Sequence, residues 1–286
     1  MSTLKAVIVA SMLAISLPLR AQDTPTLLYE VSGNGLEQPS YLFGTIHLMC
    51  PENITLSETL QEKLTTSQQL VLELDFDEPG MMQEMQQKAM LPEGQTIRDI
   101  MSEEDFELVG QFFQDSLNLP VQLLERFSPI ALYGVLGMQI MHCQPGSYEA
   151  SLAQLAQQKQ LEVLGLETID EQMAAFNQIP TEAQAELLTE SIRDYEKSAD
   201  EFRALIDAYR AQDLDQIQKI SQESAGRIEG MEQHLLTDRN RAWVPEMEAM
   251  MERPTFFGVG AGHLGGEDGL LNLLEEAGYT ITAVAQ

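Results

Sequence analysis

Two short apolar runs near the two ends of the chain finish in Gly-x-x-His: Leu42-Phe43-Gly44-Thr45-Ile46-His47 and Phe257-Gly258-Val259-Gly260-Ala261-Gly262-His263. Only four histidines occur in the whole sequence, so two in one local setting mark a candidate site. Two further apolar runs end in acids, Leu70-Val71-Leu72-Glu73 and Val163-Leu164-Gly165-Leu166-Glu167. Imidazole is the commonest metal ligand and the usual proton carrier near neutral pH. A buried carboxylate needs a cation, a metal or hydrogen-bond donors. A single cluster of His47, His263, Glu73 and Glu167 would meet all these needs. His47 and His263 would hold a divalent ion with Glu73 or Glu167, and the other acid would act as general base toward metal-bound water. The alternatives without chemistry are core histidines held by backbone carbonyls, and glutamates reaching into water at a sheet rim. Gly44 and Gly260, three positions before each His, would let the backbone pass close to a neighbour or a ligand.

Arg239-Asn240 offers a planar donor fork for a substrate carboxylate or an oxyanion, or else a salt bridge on an acidic helix. Glu149 lies near a helix start, where a carboxylate is favoured without any catalytic task. Cys50 and Cys143 read first as a disulfide of an oxidising compartment. On the chain-entropy model it would stabilise the fold by ~4 kcal/mol and tie the loop after His47 to the end of a core helix. The same two cysteines, with His47 and His142, form the alternative of a closed zinc site. Met81, Met82, Met85 and Met90 suit either a mobile lid or ordinary core filling.

These residues need strand ends to hold them, since α/β proteins place their chemistry at the carboxyl ends of strands. Residues 26–32 and 40–47 read as a hairpin around Gly33-Asn34-Gly35. Residues 69–74, 162–166, 255–259 and 280–284 read as further strands. Residues 56–64, 81–101, 147–158 and 268–277 read as helices. Ser128-Pro129 opens another helix. Its stretch 130–141 is apolar on every side, which predicts full burial, with Gly134 and Gly137 admitting a close neighbour. Thr181 and Gln184, after Pro180, form a capping-box pattern. It opens one long amphipathic helix through Leu188, Ile192, Tyr195, Ala199, Phe202, Ile206 and Tyr209, with more helix to Met251. The expected fold is α/β. A central mixed sheet with a hairpin near the N-terminus is covered by helices, and a long helical insertion (about 180–251) lies between the sheet-forming ends.

Lys5, a twelve-residue apolar stretch and Leu19-Arg20-Ala21 make a secretory signal pattern over residues 1–21, too short to span a bilayer. Residues 22–286 then form one domain, expected to be periplasmic or secreted, with no stable membrane insertion. Removing the leader takes Lys5 and Arg20 and no acid from a chain with 45 acids and 16 bases. That leaves 45 acids against 14 bases, a net charge near −31. Such a field disfavours nucleic acid and anionic lipid and suits a cationic ligand or a metal ion.

Tyr41-Leu42-Phe43-Gly44-Thr45-Ile46-His47, Val71-Leu72-Glu73-Leu74-Asp75, Gly165-Leu166-Glu167-Thr168, Asp238-Arg239-Asn240 and Gly260-Ala261-Gly262-His263-Leu264 occur in that order. Together with Tyr209-Arg210-Ala211-Gln212-Asp213 they resemble the TraB/GumN family over essentially all of residues 22–286. That family is related to Tiki-type metal-dependent proteases and, more distantly, to erythromycin-esterase-like and ChaN-type haem-binding proteins. The resemblance implies one cleft holding Gly44, His47, Glu73, Glu149, Glu167, Arg239, Asn240, Gly260 and His263, with Glu149 where the family more often has Asp. It implies a peptidase using a divalent ion, manganese or cobalt, with zinc also chemically suitable. Glu73, Glu167 and Arg239 are then the catalytic expectation, acting on a peptide or small-molecule substrate. Two rivals stand beside it: a non-catalytic protein capturing a peptide or haem in the same cleft, and a metal-free hydrolase with a His/Glu acid–base pair.

Overall fold

The computed structural model describes residues 25–286, so the leader pattern lies outside the described residues. Six strands form one mixed sheet: β1 (Leu28–Gly33), β2 (Ser40–Thr45), β3 (Gln69–Leu72), β4 (Glu162–Gly165), β5 (Thr255–Gly260) and β6 (Tyr279–Ala283), in the order β4-β3-β5-β2-β1-β6. The four strands β4, β3, β5 and β2 are parallel. The hairpin partner β1 and the last strand β6 close the other edge antiparallel. Every residue of β2, β3 and β5 is buried, which explains why their sequences are continuous apolar runs rather than alternating ones.

Eleven α-helices occur among the described residues: α1 (Glu58–Thr66), α2 (Met81–Lys88), α3 (Glu103–Leu117), α4 (Pro129–Ile140), α5 (Tyr148–Gln158), α6 (Ile169–Asn177), α7 (Thr181–Arg193), α8 (Tyr195–Arg210), α9 (Leu214–Ala225), α10 (Asp238–Met250) and α11 (Leu270–Glu276). None is long and apolar enough to cross a membrane. The helical mass is therefore larger than the expected insertion. It enters between β3 and β4 as well as between β4 and β5. Phe106, Val109 and Phe113 of α3, Leu132 and Leu136 of α4, and Leu188 and Ile192 of α7 make a second apolar core apart from the one under the sheet.

Several expected elements change form. The long helix breaks at Asp194 (φ −104°, ψ 42°) into α7 and α8, because one end serves the helical core and the other places Tyr209 against the sheet. The capping box at Thr181 does not form. Pro180 stands at the N-cap without a side-chain bond, and the Gln184 amide instead donates to the Phe176 and Ile179 carbonyls at the end of α6. The methionine-rich helix stops at Lys88, after which Met90 bridges to Phe127. Helix α4 is buried at Pro129 and along Leu132, Leu136 and Ile140 only. Gly134 and Met138 face outward, and Gly137 packs near Leu48. Its start matches its sequence: Pro129 fills the first turn and the Ser128 hydroxyl accepts from the Ala131 amide.

Candidate functional site

The parallel register aligns the strand ends. Thr45 pairs with Gly260, and Leu72 with both Gly258 and Gly165. The ladder runs one step further, with the Leu166 amide donating to the Leu72 carbonyl and the Glu167 amide to the Glu73 carbonyl. Glu73 and Glu167 therefore emerge side by side. Thr168 caps α6 immediately afterwards, in a reciprocal box with Glu171, and so fixes the path of the chain away from Glu167. Neither acid reaches into water: their side chains are 4% and 6% exposed.

Gly44 is required where the two Gly-x-x-His turns meet. A Cβ there would lie 2.7 Å from Leu264 Cδ1 and 3.1 Å from Ala261 Cα. Gly260 gives its amide to Glu73 Oε1 at 2.7 Å. A Cβ on it would stand 3.5 Å from His47 Nε2, in the space the site leaves open.

His263 is buried, and Asn240 fixes its tautomer. The Asn240 amide nitrogen donates to the carbonyls of His263 and Asp268, which turns its oxygen, at 2.6 Å, onto His263 Nδ1. That nitrogen therefore carries the proton, and Nε2 presents a lone pair. His47 is held in the same sense. Its Nδ1 donates to Glu149 Oε1 at 2.7 Å, and the Thr45 hydroxyl donates to the same oxygen. Glu149 sits in the first turn of α5, buried, with its Oε2 unpartnered. The Met49–Gly146 bridge and the Cys50–Cys143 disulfide, closing a span of 93 residues, tie the His47 turn to the segment leading to Glu149. The alternative of a closed zinc site at the cysteines is thereby replaced.

His47 Nε2 and His263 Nε2 stand 3.8 Å and 3.9 Å from the same atom, Glu73 Oε1. Both gaps are too long for direct hydrogen bonds. The gap at His47 suits a single oxygen atom hydrogen-bonded to both sides.

Arg239 fills the cationic position. Its Nη2 donates to Glu73 Oε2 and to Glu167 Oε1, each at 2.6 Å, and its Nε donates to Glu167 Oε2 at 3.2 Å. Its Nη1 donates to the Leu235 carbonyl at 2.9 Å and to His263 Nε2 at 3.2 Å. All five guanidinium hydrogens are used, so none remains for the substrate carboxylate that the sequence suggests. The preceding residues, Gln233–Thr237, form a π-helical turn. In that turn the Asp238 amide donates five residues back to the Gln233 carbonyl, and the Leu235 carbonyl accepts from the Arg239 side chain.

Trp243, one turn beyond Arg239 on α10, is a site residue not expected from the sequence. Its Nε1 donates to Glu167 Oε2 at 3.2 Å, and its ring lies 4.6 Å from the His263 ring and 4.6 Å from the Arg239 guanidinium carbon. A lone tryptophan four residues after a candidate arginine on one helix was the available signal. Tyr209 is also buried, donating to the Gly44 carbonyl at 2.9 Å.

The charges are set by these contacts. Burial alone lowers the His47 pKa, although 63% of its side chain is open to the cleft. The charge and hydrogen bond of Glu149, helped by Glu73, outweigh both burial and Arg239 and raise it to about 9. Burial lowers His263 to about 3, with Arg239 and His47 adding to the effect against the opposing pull of Glu73. Burial pushes Glu73 up, but His263, His47, Arg239 and the Gly260 amide hold it far below the usual carboxylate range. Since His263 is itself neutral near pH 7, the ionised Glu73 depends there on His47, Arg239 and Gly260. Glu149 is lowered as well, burial being outweighed by His47 and Thr45.

The donor types suit a divalent ion, but their placement does not. No three His, Cys, Asp or Glu side chains among the described residues are grouped to hold one. The His263 lone pair and the outer oxygen of Glu73 are both engaged by Arg239. A second cation would meet that guanidinium at short range.

A family model described as TraB/PrgY/gumN family matches residues 27–283. No curated protein and no solved structure matches the chain significantly.

Proposed function

The chain belongs to the TraB/PrgY/gumN family, and from that premise we propose that it is an exported hydrolase of peptides whose site works by acid–base chemistry without a resident metal. The observation that carries this reading is the convergence of two anchored imidazoles on one carboxylate oxygen, at 3.8 Å and 3.9 Å. A water oxygen at that junction would have the ionised Glu73 Oε1 as its proton acceptor, while His263, its Nε2 held by Arg239, walls the junction on the other side. The His47 imidazolium would supply a proton to the departing amine, returning the balance as water adds across the bond. Arg239 helps keep Glu73 charged and ties it to Glu167, and its own hydrogen bonds stand in for an ion. The peptide substrate class rests on the resemblance to Tiki-type proteases. The disulfide supports a periplasmic or secreted location.

The test is cleavage of a mixed peptide library, read by mass spectrometry, with protein freed of metal by exhaustive chelation. Activity should persist, and His47→Gln should lower it by roughly 10²–10⁴-fold, the usual worth of a positioned acid–base group. Absence of cleavage by the intact chain would overturn the hydrolase. Stoichiometric binding of manganese, cobalt or zinc that is lost in the His47→Ala/His263→Ala variant would return the metal-dependent form, with those imidazoles and Glu73 as ligands.

A further inference from the structure

Two cavities of different chemistry flank the segment 231–238, and the first of them reaches the Glu/Arg side of the cluster. The first, about 1050 Å³, has Glu167 and Arg239 in its wall, with Leu74, Met81, Ile169 and Trp243 supplying apolar surface. Its outer wall carries Glu78, Glu84 and Glu246, all exposed. The ion pairs made by residues of this wall, Arg239 with Glu73 and Glu167, Asp170 with Lys88 and His234 with Asp238, use none of those three glutamates. The second cavity, about 560 Å³, lies between α4, α8 and α9 and is lined chiefly by Leu136, Phe202, Leu205, Ile220 and Leu236. It also reaches Leu48, the neighbour of His47.

The segment 231–238 separates the two. His234 and Asp238 belong to the acidic cleft, whereas Met231, Leu235 and Leu236 belong to the apolar groove. The His47 side chain is 63% exposed, and its neighbour Leu48 lines the apolar groove.

Taking the hydrolytic site above as given, we propose that the substrate is an amphipathic cationic polypeptide segment, with basic residues in the acidic cleft and bulky apolar residues in the groove. Unneutralised carboxylates beside apolar walls suit a Lys or Arg side chain, whose aliphatic stem can lie on the wall while its charge meets the acids. The groove's charges are the Arg227–Glu201 pair and Glu223, and the rest of its wall is mainly apolar, suited to Leu, Met or Phe side chains. The net charge of the whole chain, −29, adds long-range attraction for the same class of ligand.

The experiment uses a fluorescent synthetic peptide with lysines in one half and leucine and phenylalanine in the other, its central amides N-methylated against cleavage. Fluorescence anisotropy at low salt should show saturable binding. Replacing lysine by glutamate should abolish it. The Glu78→Gln/Glu84→Gln/Glu246→Gln variant should bind about tenfold more weakly, each surface charge being worth up to ~1 kcal/mol. Gly134→Leu adds an apolar side chain to the groove's wall at a position where nothing lies within 4 Å of a Cβ. It should weaken binding of the same peptide but not of one carrying lysines alone. Equal binding of the lysine and glutamate peptides, or full affinity in both variants, overturns the proposal. Cleavage of the unmethylated peptide is measured in parallel. Charge-selective binding without any cleavage removes the hydrolase and leaves the ligand class. Cleavage with no charge preference does the reverse.

Discussion

At the residue scale, the same cluster moves its two imidazoles in opposite directions. His47 is raised to about 9 and His263 lowered to about 3 from a common starting point near 6.5. The linkage signs therefore differ. Below pH 6.5 the unfolded chain protonates His263 while the folded chain resists until about 3, so stability falls as pH drops through that window. Above 6.5 the folded chain retains the His47 proton that the unfolded chain has released, so the stability from the Glu149 pair is lost as pH rises through about 9. The expected outcome is a dome in unfolding free energy, highest at about pH 6–7, measured by urea titration from about pH 4 to about pH 10. The alkaline limb should vanish in His47→Gln and the acid limb should flatten in His263→Gln. A profile unchanged by either substitution would remove the charge assignment. The hydrolytic rate should fall along the same alkaline limb, because the proton donor is the group being lost.

At the element scale, the decisive piece is the π-helical turn Gln233–Thr237, which aims Arg239. Deleting one residue from this turn would restore α-helical spacing and rotate the segment before it by ~100° relative to α10. The Leu235 carbonyl would leave the guanidinium, and the buried Glu73–Arg239–Glu167 arrangement would be forced apart. Breaking such a buried ion pair costs roughly 3–5 kcal/mol. The deletion should thus lose stability on that scale and all cleavage activity while circular dichroism still reports the helices. Wild-type stability in the deletion variant would show that the turn positions nothing. This element was not legible in the sequence, because nothing in Gln233-His234-Leu235-Leu236-Thr237 distinguishes a π turn from an α turn. The strand ends were legible, because parallel buried strands leave continuous apolar runs and their last polar residue is conspicuous. The break at Asp194 was hidden, since the apolar spacing continues across it and tertiary demand alone bends the chain. Trp243 was overlooked for a related reason: an aromatic on a helix reads as core, and its indole N–H is seen to matter only when Glu167 is placed beside it.

At the scale of the whole molecule, the acidic surface acts on the fold and on its ligand with opposite sign. A net charge of −29 repels itself in the compact state, and salt relieves that repulsion. The screening length shortens from ~30 Å at ~0.01 M salt to ~8 Å at ~0.15 M, so surface carboxylates stop sensing one another across the molecule. Unfolding free energy should therefore rise over this interval. The buried contacts of Arg239, with its side chain 10% exposed, are largely shielded from added ions, so the pH dome should keep its shape as it rises. Binding of a lysine-rich peptide draws on the exposed glutamates of the cleft and should weaken over the same interval. Melting temperature and peptide affinity, measured on one sample series, should move in opposite directions. Sucrose separates the electrostatic cause from general compaction, because it strengthens burial without screening charge and should raise the melting temperature with no loss of affinity. If salt raised both quantities together, the acidic surface would have no part in capturing the ligand, and its charge would serve solubility alone.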